Sequence, residues 1–480
     1  MRHTLWPLAP WFLVACLLGA FSWQGSILGS DDALYAMVAR ENLRQGEWLS
    51  FTFEGRPFFE KGPVLPWLLM GSQAMFGESE FAQRLPGILF AFLLLLALYH
   101  IAIRAGMSRL SAWCAVASAL AMNAFYLNAR RPMSDIPGAA LALLGLALVM
   151  AGGLRSAAAG GALLGLSILT KLVAPIPVLG ALFFSPLGER PYRRILLALL
   201  VACLVALPWH GFMLQSHGQA FADTYFGYHL LERATTPLVG QGGPGVYLDW
   251  LVEREPLIAP ILGAALLVAL WRRDGPARLA LALFFFALAP LALSATALPH
   301  YLVATVPGAA LSIGVLAGQG RIPRLVLGLI LPIAFVWHNA RDMVAPDYSS
   351  GAREACEAIA SWGRTEDLIG TADIHDLAVP WYCARPAAIF VVDKGLLAAL
   401  ASIPVLQGKV HGMDPAQFRS IMGRGGLLIT RPDRMEGLQR IASAASMRLQ
   451  AHRYKNRLVV AALGGHDGTE HPQLQHNRSH

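Results

Sequence analysis

Runs of about twenty apolar residues recur between residues 6 and 338, and they constrain the fold more than any other feature of the sequence. An α-helix needs roughly 20 such residues to cross a bilayer, and inside lipid only helices and closed barrels satisfy their backbone hydrogen bonds. Charged residues make up 14% of the 480-residue chain, whereas soluble domains carry about 25%. The sequence therefore predicts a polytopic α-helical membrane protein.

The apolar segments predict about eleven membrane spans, of which the fifth and sixth form a tight hairpin around Lys171 and Pro175. The apolar part of the N-terminal segment continues to Leu28 without a well-placed small-x-small site, which indicates an uncleaved first span rather than a signal peptide. The predicted spans are residues 6–28, 85–103, 110–128, 137–154, 157–170, 172–185, 195–213, 257–271, 278–297, 300–318 and 323–338.

Basic residues occupy every short connection on one side of this arrangement. By the positive-inside rule, that side and the N-terminus are cytoplasmic. The long first loop (29–84), the loop 214–256 and the chain after residue 338 are then extracytoplasmic. The net charge of +8 follows from these connections and indicates no nucleic-acid partner. The basic connections contain Arg2; Arg104 and Arg109; Arg155; Arg190, Arg193 and Arg194; Arg272, Arg273 and Arg278; and Arg321 and Arg324.

The last part of the chain is more polar and is predicted to form a separate domain. Residues 1–338 make the transmembrane domain, residues 339–464 a small extracytoplasmic α/β domain, and residues 465–480 a disordered tail. The predicted strands are "DLIGTADI", "AAIFVVD", "GGLLITR" and "NRLVVAAL", and "AREACEAIASWG" is a predicted helix. Cys356 and Cys383 can pair if this region faces an oxidising compartment, and the sequence leaves that pairing open.

Several polar clusters lie on the predicted outer side, where the spans end. Taken alone, each has an ordinary structural interpretation: a helix start, a solvated turn, an ion pair or an interface anchor. Together they provide carboxylates suited to general-base chemistry and Lys, Arg and Tyr groups suited to a phosphate. No nucleotide-binding glycine motif is present, so a phosphate at membrane level indicates a lipid substrate. The clusters contain Asp31 and Asp32; Glu60 and Lys61; Asp135; His229 and Arg233; and Tyr301.

These clusters lie in longer motifs, and the motifs resemble a known family. In order along residues 25–310 they are "DDALYAMVARENLRQGEWL", "FEGRPFFEKGPVLPW", "MFGESEFAQRLPG", "RRPMSD", "GLSILTK", "YHLLERAT" and "SATALPHYLVATVP". They resemble the bacterial aminoarabinose transferase and protein O-mannosyltransferase-like families, polytopic glycosyltransferases of the GT-C superfamily. The resemblance implies a GT-C fold in a bacterial inner membrane. It also implies an inverting transfer of a sugar from polyprenyl phosphate, such as undecaprenyl phosphate, to an envelope acceptor.

The resemblance also implies roles for the clustered residues. Asp31 matches the candidate base of the family, Asp32 stands where Glu is common, and Asp135 matches the acid of the second outer loop. The groups that match those binding the carrier phosphate are Lys61, Arg233 and Tyr301. The pair that matches a divalent-metal position, for Zn or Mg, is Glu60 and His229, with a plain Glu–His hydrogen bond as the alternative.

The acceptor and one rival function stay open at this point. The C-terminal module is shorter than in the lipid A-modifying enzymes, so a lipid A-like lipid, another glycan and a protein are all candidate acceptors. The rival is a transporter or flippase of a lipid-linked sugar. Such proteins place ionisable residues inside their spans near the midplane, whereas here charges lie at span ends, with Lys171 the one arguable exception.

Overall fold

The computed structural model describes residues 8–27, 31–184, 191–236, 245–344, 351–363, 368–372 and 376–463. The chain divides into two compact units, one of Met1–Ile27 with Leu34–Asp347 and the other of Leu28–Ala33 with Tyr348–His480. The tail predicted to be disordered, residues 465–480, lies outside the described residues.

The part of the chain up to Val344 is almost entirely helical. Side-chain caps begin several helices: Ser79, Ser108 and Asp274 each accept a hydrogen bond from the backbone N–H three residues on. The helices are α1 (Ala9–Gly19), α2 (Asp31–Gln45), α3 (Val64–Phe76), α4 (Glu80–Arg104), α5 (Arg109–Ala121), α6 (Asn123–Ala129), α7 (Asp135–Ala151), α8 (Leu154–Thr170), α9 (Ile176–Leu182), α10 (Pro191–Ala222), a π-helix (Asp223–Glu232), α11 (Arg233–Thr235), α12 (Gly245–Arg254), α13 (Ala259–Arg272), α14 (Gly275–Leu293), a 3₁₀-helix (Pro299–Thr305), α15 (Val306–Ala317) and α16 (Arg321–Val344); a short hairpin of β1 (Thr52–Phe53) and β2 (Arg56–Pro57) precedes α3.

Among the described residues, five helical stretches are long and apolar enough to cross a membrane, and the number rises to seven if each of two sharply bent helix pairs forms one span. Four shorter apolar helices, α1, α3, α7 and α8, accompany them. These helices confirm the general prediction of a multi-pass helical membrane protein. The count of eleven spans stays a prediction. The five stretches are Glu80–Arg104, Pro191–Thr235, Gly275–Leu293, Pro299–Ala317 and Arg321–Val344; the bent pairs are α5 with α6 and α12 with α13.

The sixth predicted span, residues 172–185, contains no helix of membrane length within its described part. Helix α8 ends at Thr170 because Lys171 adopts extended backbone angles (φ −155°, ψ 113°), and a turn then leads to Pro175 before α9. Helix α9 has seven residues and so rises only about 10 Å. Lys171 therefore lies at a break between helices, as the hairpin prediction requires. Helix α16 also differs from the prediction. It continues past residue 338, where the transmembrane domain was predicted to end.

Small residues allow α7, α8 and α10 to pack closely. A Cβ atom on Gly145 would lie 2.9 Å from the carbonyl oxygen of Gly160, and one on Gly161 would lie 2.3 Å from that of Ala198. Glycine at such positions lets helix backbones approach in a membrane, where packing rather than the hydrophobic effect holds helices together. This packing fixes the ends of α7 and α8 relative to each other.

The second unit contains a six-stranded sheet with the strand order β5-β4-β3-β6-β8-β7. The neighbouring pairs among β3 to β6 are parallel, and β8 pairs antiparallel with β6 and β7. The predicted strand segments coincide with β3, β4, β6 and β8. The two unpredicted strands, β5 and β7, are the edges of the sheet, and edge strands are short or polar rather than apolar. The elements are α17 (Ala352–Ser361), β3 (Leu368–Ala372), α18 (Ala378–Tyr382), β4 (Ala388–Val391), α19 (Lys394–Ala401), β5 (Val410–Gly412), α20 (Pro415–Met422), β6 (Leu427–Thr430), α21 (Met435–Ala444), β7 (Arg448–Tyr454) and β8 (Arg457–Leu463).

Cys356 and Cys383 form a disulfide in this unit, with their Cα atoms 5.0 Å apart. The bond joins α17 to the residue that follows α18. The pairing that the sequence left open is thus made. Disulfides persist in oxidising compartments, so the bond agrees with an extracytoplasmic location for this unit.

Candidate active site

A cavity of about 300 Å³ in the first unit gathers six of the eight site residues predicted from the sequence. They come from the loop before α3, the start of α7, the π-helix, α11 and the 3₁₀-helix, so distant segments of the chain supply one site. Apolar side chains of α7, α9 and α14 complete the wall. The six residues are Glu60, Lys61, Asp135, His229, Arg233 and Tyr301; the apolar wall includes Leu143, Val178, Leu283 and Phe286.

Arg233 and Tyr301 meet although they are far apart in the sequence. The Arg233 Nη1 atom donates a hydrogen bond of 3.4 Å to Tyr301 Oη. Backbone bonds hold the two segments together: the N–H of Thr296 donates to the Arg233 carbonyl at 3.1 Å, and that of Ala295 donates to the Ala234 carbonyl at 2.9 Å. The pair therefore sits on a braced piece of backbone. A guanidinium and a phenol held in this way present hydrogen-bond donors to the cavity.

Lys171 also lines the cavity, and the sequence analysis assigned it no role in the site. Its Nζ atom lies 2.7 Å from Asp135 Oδ1 and 4.4 Å from the centroid of the Tyr301 ring. The structural alternative of an ion pair for Asp135 is therefore formed, with Lys171 as the partner. The available signal was the single Lys inside the apolar run "GLSILTKLVAP", because an ionisable residue in a membrane segment usually has a function.

Lys171 faces an opposite charge and an aromatic ring. It follows the last residue of α8, and its Nζ atom is shared between the Asp135 carboxylate and the face of the Tyr301 ring. Opposite charges at this distance favour each other's charged form, so the pair places a cation and an anion together in the cavity wall.

Glu60 and His229 approach each other in the same cavity. Glu60 Oε1 lies 3.9 Å from His229 Nε2, and each side chain is 8% exposed. That distance is too long for a hydrogen bond, so the plain Glu–His bond is not formed. Neither ring nitrogen of His229 has a hydrogen-bond partner among the described residues. Burying an imidazole without a partner is costly, so His229 is a candidate for contact with a bound molecule.

The helix that carries His229 differs from the one the spacing predicts. Four residues apart, His229 and Arg233 would share one face of an α-helix. His229 instead lies in a π-helix, Asp223–Glu232, and Arg233 begins the short α11. Both still line the cavity. Because π-helical turns are rare and occur frequently at functional sites, the local geometry agrees with a role for this segment.

A close backbone approach brings the loop with Glu60 and Lys61 to the cavity. A Cβ atom on Gly62 would lie 2.0 Å from the carbonyl oxygen of Leu169, near the end of α8. Only glycine leaves room for that contact. The Lys61 Nζ atom lies 6.0 Å from the centroid of the Tyr35 ring, at the outer limit for a cation–π contact.

Asp31 and Asp32 are not among the residues that line this cavity. They are the first two residues of α2, where acidic side chains suit the positive end of the helix. Asp31 is half-buried and Asp32 is buried. Residues Leu28–Ala33 group with the second unit, so the catalytic roles expected for these two acids stay predictions.

The cavity combines charge with an apolar wall. Three cations, two carboxylates, a histidine and two tyrosines line the cavity, together with leucine, valine, alanine and phenylalanine side chains. Charged donors bind phosphate oxygens strongly, and apolar walls suit a hydrocarbon chain. Among the described residues no group of three or more His, Cys, Asp and Glu side chains is placed to hold a metal ion. Any ion at Glu60 and His229 would therefore need ligands from substrate or water.

Sequence comparisons relate the chain to polyprenyl-phosphate-dependent transferases. The profile of the dolichyl-phosphate-mannose-protein mannosyltransferase family matches residues 60–211. An undecaprenyl phosphate-alpha-4-amino-4-deoxy-L-arabinose arabinosyl transferase of Pseudomonas aeruginosa strain UCBPP-PA14 is 31% identical over 333 residues, 62% of this chain and 56% of that protein. A protein of the same name from Pseudomonas paraeruginosa is 35% identical over 194 residues, 37% of this chain and 35% of that protein. The chain thus matches between about a third and just over half of the length of these curated relatives.

Comparison of structures extends over nearly the whole chain. The crystal structure of ArnT from Cupriavidus metallidurans bound to undecaprenyl phosphate superposes with a TM-score of 0.71 at 19% sequence identity. The match covers 95% of this chain and 98% of that one. At this identity the likeness concerns the fold. Sequence and fold together support the resemblance drawn from the motifs: the chain is similar in sequence to the aminoarabinose transferases and has the fold of ArnT.

Proposed function

We propose that the protein is an inverting glycosyltransferase that moves a sugar from a polyprenyl-phosphate carrier to an envelope acceptor. The acceptor hydroxyl attacks the anomeric carbon, and its proton passes to a carboxylate. The bond between that carbon and the phosphate oxygen breaks, which releases polyprenyl phosphate. The acceptor is a lipid A-like lipid, another glycan or a protein. The names of the relatives point to undecaprenyl phosphate as the carrier and to aminoarabinose as the first sugar to test.

The observation that carries this proposal is the convergence of Lys61, Lys171, Arg233 and Tyr301 on a cavity whose other walls are apolar. A carrier phosphate is anionic before the reaction and gains charge as it leaves. Fixed cations at that position stabilise the transition state, because they are placed before the charge develops. The apolar walls of α7, α9 and α14 would accept the first isoprene units.

We assign two different tasks to the acids. Asp31 is proposed as the general base, with Asp32 orienting the loop around it. Asp135 is paired with Lys171 at 2.7 Å, so its proposed task is to position that ammonium. A carboxylate engaged in this way is less available to accept a proton than one facing solvent.

A divalent cation fits the Glu60–His229 pair in part. Two ligands that each bind zinc at about 2.0–2.2 Å lie at most about 4 Å apart, and the two atoms are separated by 3.9 Å. The unpartnered nitrogens of His229 would supply one ligand and Glu60 the other. Such a cation would add positive charge beside the carrier phosphate. Metal analysis of the purified protein before and after chelation tests this assignment, and full transfer activity in metal-free protein would remove it.

We also propose the extracytoplasmic face of the bacterial inner membrane as the place of reaction. The basic connections named above support this orientation. The Cys356–Cys383 disulfide supports it independently, because cytoplasmic thiols stay reduced.

The direct test is transfer by the purified full-length protein in lipid vesicles. Undecaprenyl-phosphate-linked sugars would be the donors, and lipid A, envelope glycans and unfolded protein would be offered as acceptors. Asp31→Asn should reduce turnover by about 10²–10⁴-fold, as expected for loss of a positioned base, while donor binding persists. The control is Arg155→Gln, an exposed residue of α8, which should transfer like the parent.

Two results would contradict the proposal. Movement of intact lipid-linked sugar across the vesicle membrane without transfer would favour the transporter alternative. Undiminished turnover in Asp31→Asn would show that Asp31 is not the general base, and Asp32 or Asp135 would then be the candidate. Mass spectrometry of envelope lipids, glycans and proteins, with and without the gene, would identify the acceptor.

A further inference from the structure

A second cleft lies between α1, α4 and α5, and it shares no lining residue with the cavity described above. Among the described residues, its lining contains two arginines and no carboxylate. It is formed where α4 ends and α5 begins. Its main lining residues are Trp11, Tyr99, His100, Arg104, Arg109 and Trp113.

Three aromatic rings of the cleft contact one another. The centroid of the Trp11 ring lies 4.7 Å from that of Trp113 and 5.6 Å from that of Tyr99, and the Tyr99 and Trp113 centroids are 5.2 Å apart. All three side chains are half-buried. Trp and Tyr concentrate where a bilayer meets water, because their rings are apolar at one end and polar at the other. The cluster therefore places the cleft at headgroup level.

The two arginines carry charge that no described residue neutralises. Arg104 is the last residue of α4 and Arg109 the first of α5, and both are exposed. Within the described ranges neither forms an ion pair or a side-chain hydrogen bond. Arg109 also sits at the positive end of α5, where a cation is unfavourable and an anion favourable. The two arginines, without ion-pair partners in the described part of the chain, and the positive end of α5 make the cleft suited to a negatively charged group.

We propose that this cleft binds the headgroup of an anionic phospholipid of the surrounding bilayer. Two exposed cations attract an anionic phosphate and donate charge-assisted hydrogen bonds to its oxygens. Exposed apolar side chains flank the arginines, with Ile103 36% and Leu110 52% exposed, and they offer a surface to the acyl chains. Basic clefts between membrane helices on the cytoplasmic side bind anionic headgroups in this way. The inference is independent of the transfer reaction.

The test is lipid binding by the full-length protein in detergent, followed by native mass spectrometry. Phosphatidylglycerol is compared with phosphatidylcholine of the same acyl chains. The parent should retain phosphatidylglycerol in preference, and the preference should weaken with salt. The double variant Arg104→Gln/Arg109→Gln should bind phosphatidylglycerol about 10- to 30-fold more weakly, as expected for two interfacial cations.

The matched control removes two charges from other basic connections. Arg278→Gln/Arg321→Gln loses the same charge at exposed positions outside the cleft, and it should bind like the parent. Arg104→Lys/Arg109→Lys keeps the charge and should retain most of the preference for phosphatidylglycerol. This variant keeps the proposal testable if the Gln variant folds poorly. Equal retention of the two lipids by the parent overturns the proposal. So does an equal loss in the two Gln variants, since that would be an effect of overall charge.

Discussion

At the scale of single residues, the cavity depends on charges whose positions are fixed by partners. The Arg233 carbonyl accepts a hydrogen bond from the N–H of Thr296, the neighbouring Ala234 carbonyl accepts one from Ala295, and the Arg233 guanidinium donates to Tyr301. A planar guanidinium in a fixed position can make two parallel bonds to a phosphate, which a Lys ammonium cannot. Arg233, Lys61 and Tyr301 should therefore respond differently to substitution.

Arg233→Lys should be nearly as damaging to transfer as Arg233→Ala, because the two-bond geometry is lost in both. Lys61→Ala should weaken binding of the carrier as well as turnover, since the carrier is anionic in its ground state. Tyr301→Phe should be mildest, because it removes one neutral hydrogen bond worth about 0.5–1.5 kcal/mol. Binding of undecaprenyl phosphate and steady-state transfer are measured for each variant. Carrier binding equal to that of the parent in all of them would show that the phosphate lies elsewhere.

The Asp135–Lys171 pair allows stability to be separated from function. Removing one partner leaves a buried, uncompensated charge, which typically costs about 3–5 kcal/mol. Asp135→Asn and Lys171→Met should each lower the unfolding temperature in detergent. The double variant should recover most of that loss and yet stay inactive, because Lys171 is also needed as a cation. Recovery of transfer in the double variant would mean that the pair is only structural.

At the scale of elements, the site depends on where helices stop. Helix α8 ends one residue before Lys171, and the helical stretch that carries Arg233 ends two residues after it, at Thr235. At the end of a helix, backbone peptide groups lack partners within the helix and the chain changes direction. Side chains at such positions can therefore face a cavity. The loop before α3 reaches the same place only because Gly62 touches α8.

Gly62→Ala should therefore displace the loop that carries Glu60 and Lys61. The added methyl would overlap the Leu169 carbonyl, and overpacking of this kind costs about 1–3 kcal/mol. Thermal unfolding and carrier binding should both be impaired. Gly71→Ala is the control, because a Cβ there has no neighbour within 4 Å inside α3, and Ala is about 0.8–1 kcal/mol better than Gly in a helix. A tolerated Gly62→Ala would mean that the loop adapts and that the contact does not position the site.

At the scale of the whole molecule, orientation decides whether the site can meet its substrates. Single cysteines can report it after Cys16, Cys114 and Cys203, the free cysteines, are replaced and the disulfide is kept. An impermeant thiol reagent on intact cells should label Gln45→Cys, in the first outer loop. It should label Arg155→Cys, in the inner connection before the fifth predicted span, only after the membrane is permeabilised. Both positions are exposed, so silence of one cannot be explained by burial, and the reverse pattern would place the cavity on the wrong face.

The sequence by itself determined the membrane class, because apolar runs of bilayer length have few alternative fates. The positions of the arginines also indicated on which side of the membrane each loop lies. Motifs that resemble a known family indicated which residues are candidates for binding phosphate or accepting a proton. Local signals predicted four of the six strands of the C-terminal sheet, whereas β5 and β7 lack the apolar character that reveals a strand.

Only the tertiary structure decided which of these residues share a cavity. It added Lys171, because a charge in an apolar run becomes interpretable once Asp135 stands 2.7 Å away. Within the described part of the sixth predicted span it placed the seven-residue α9, and around His229 it placed a π-helix rather than an α-helix, since both depend on neighbours that local sequence does not encode. It brought Arg233 to Tyr301 and Cys356 to Cys383. Contacts of this kind form between segments distant along the chain, and packing of the whole bundle or sheet, rather than local preference, selects them.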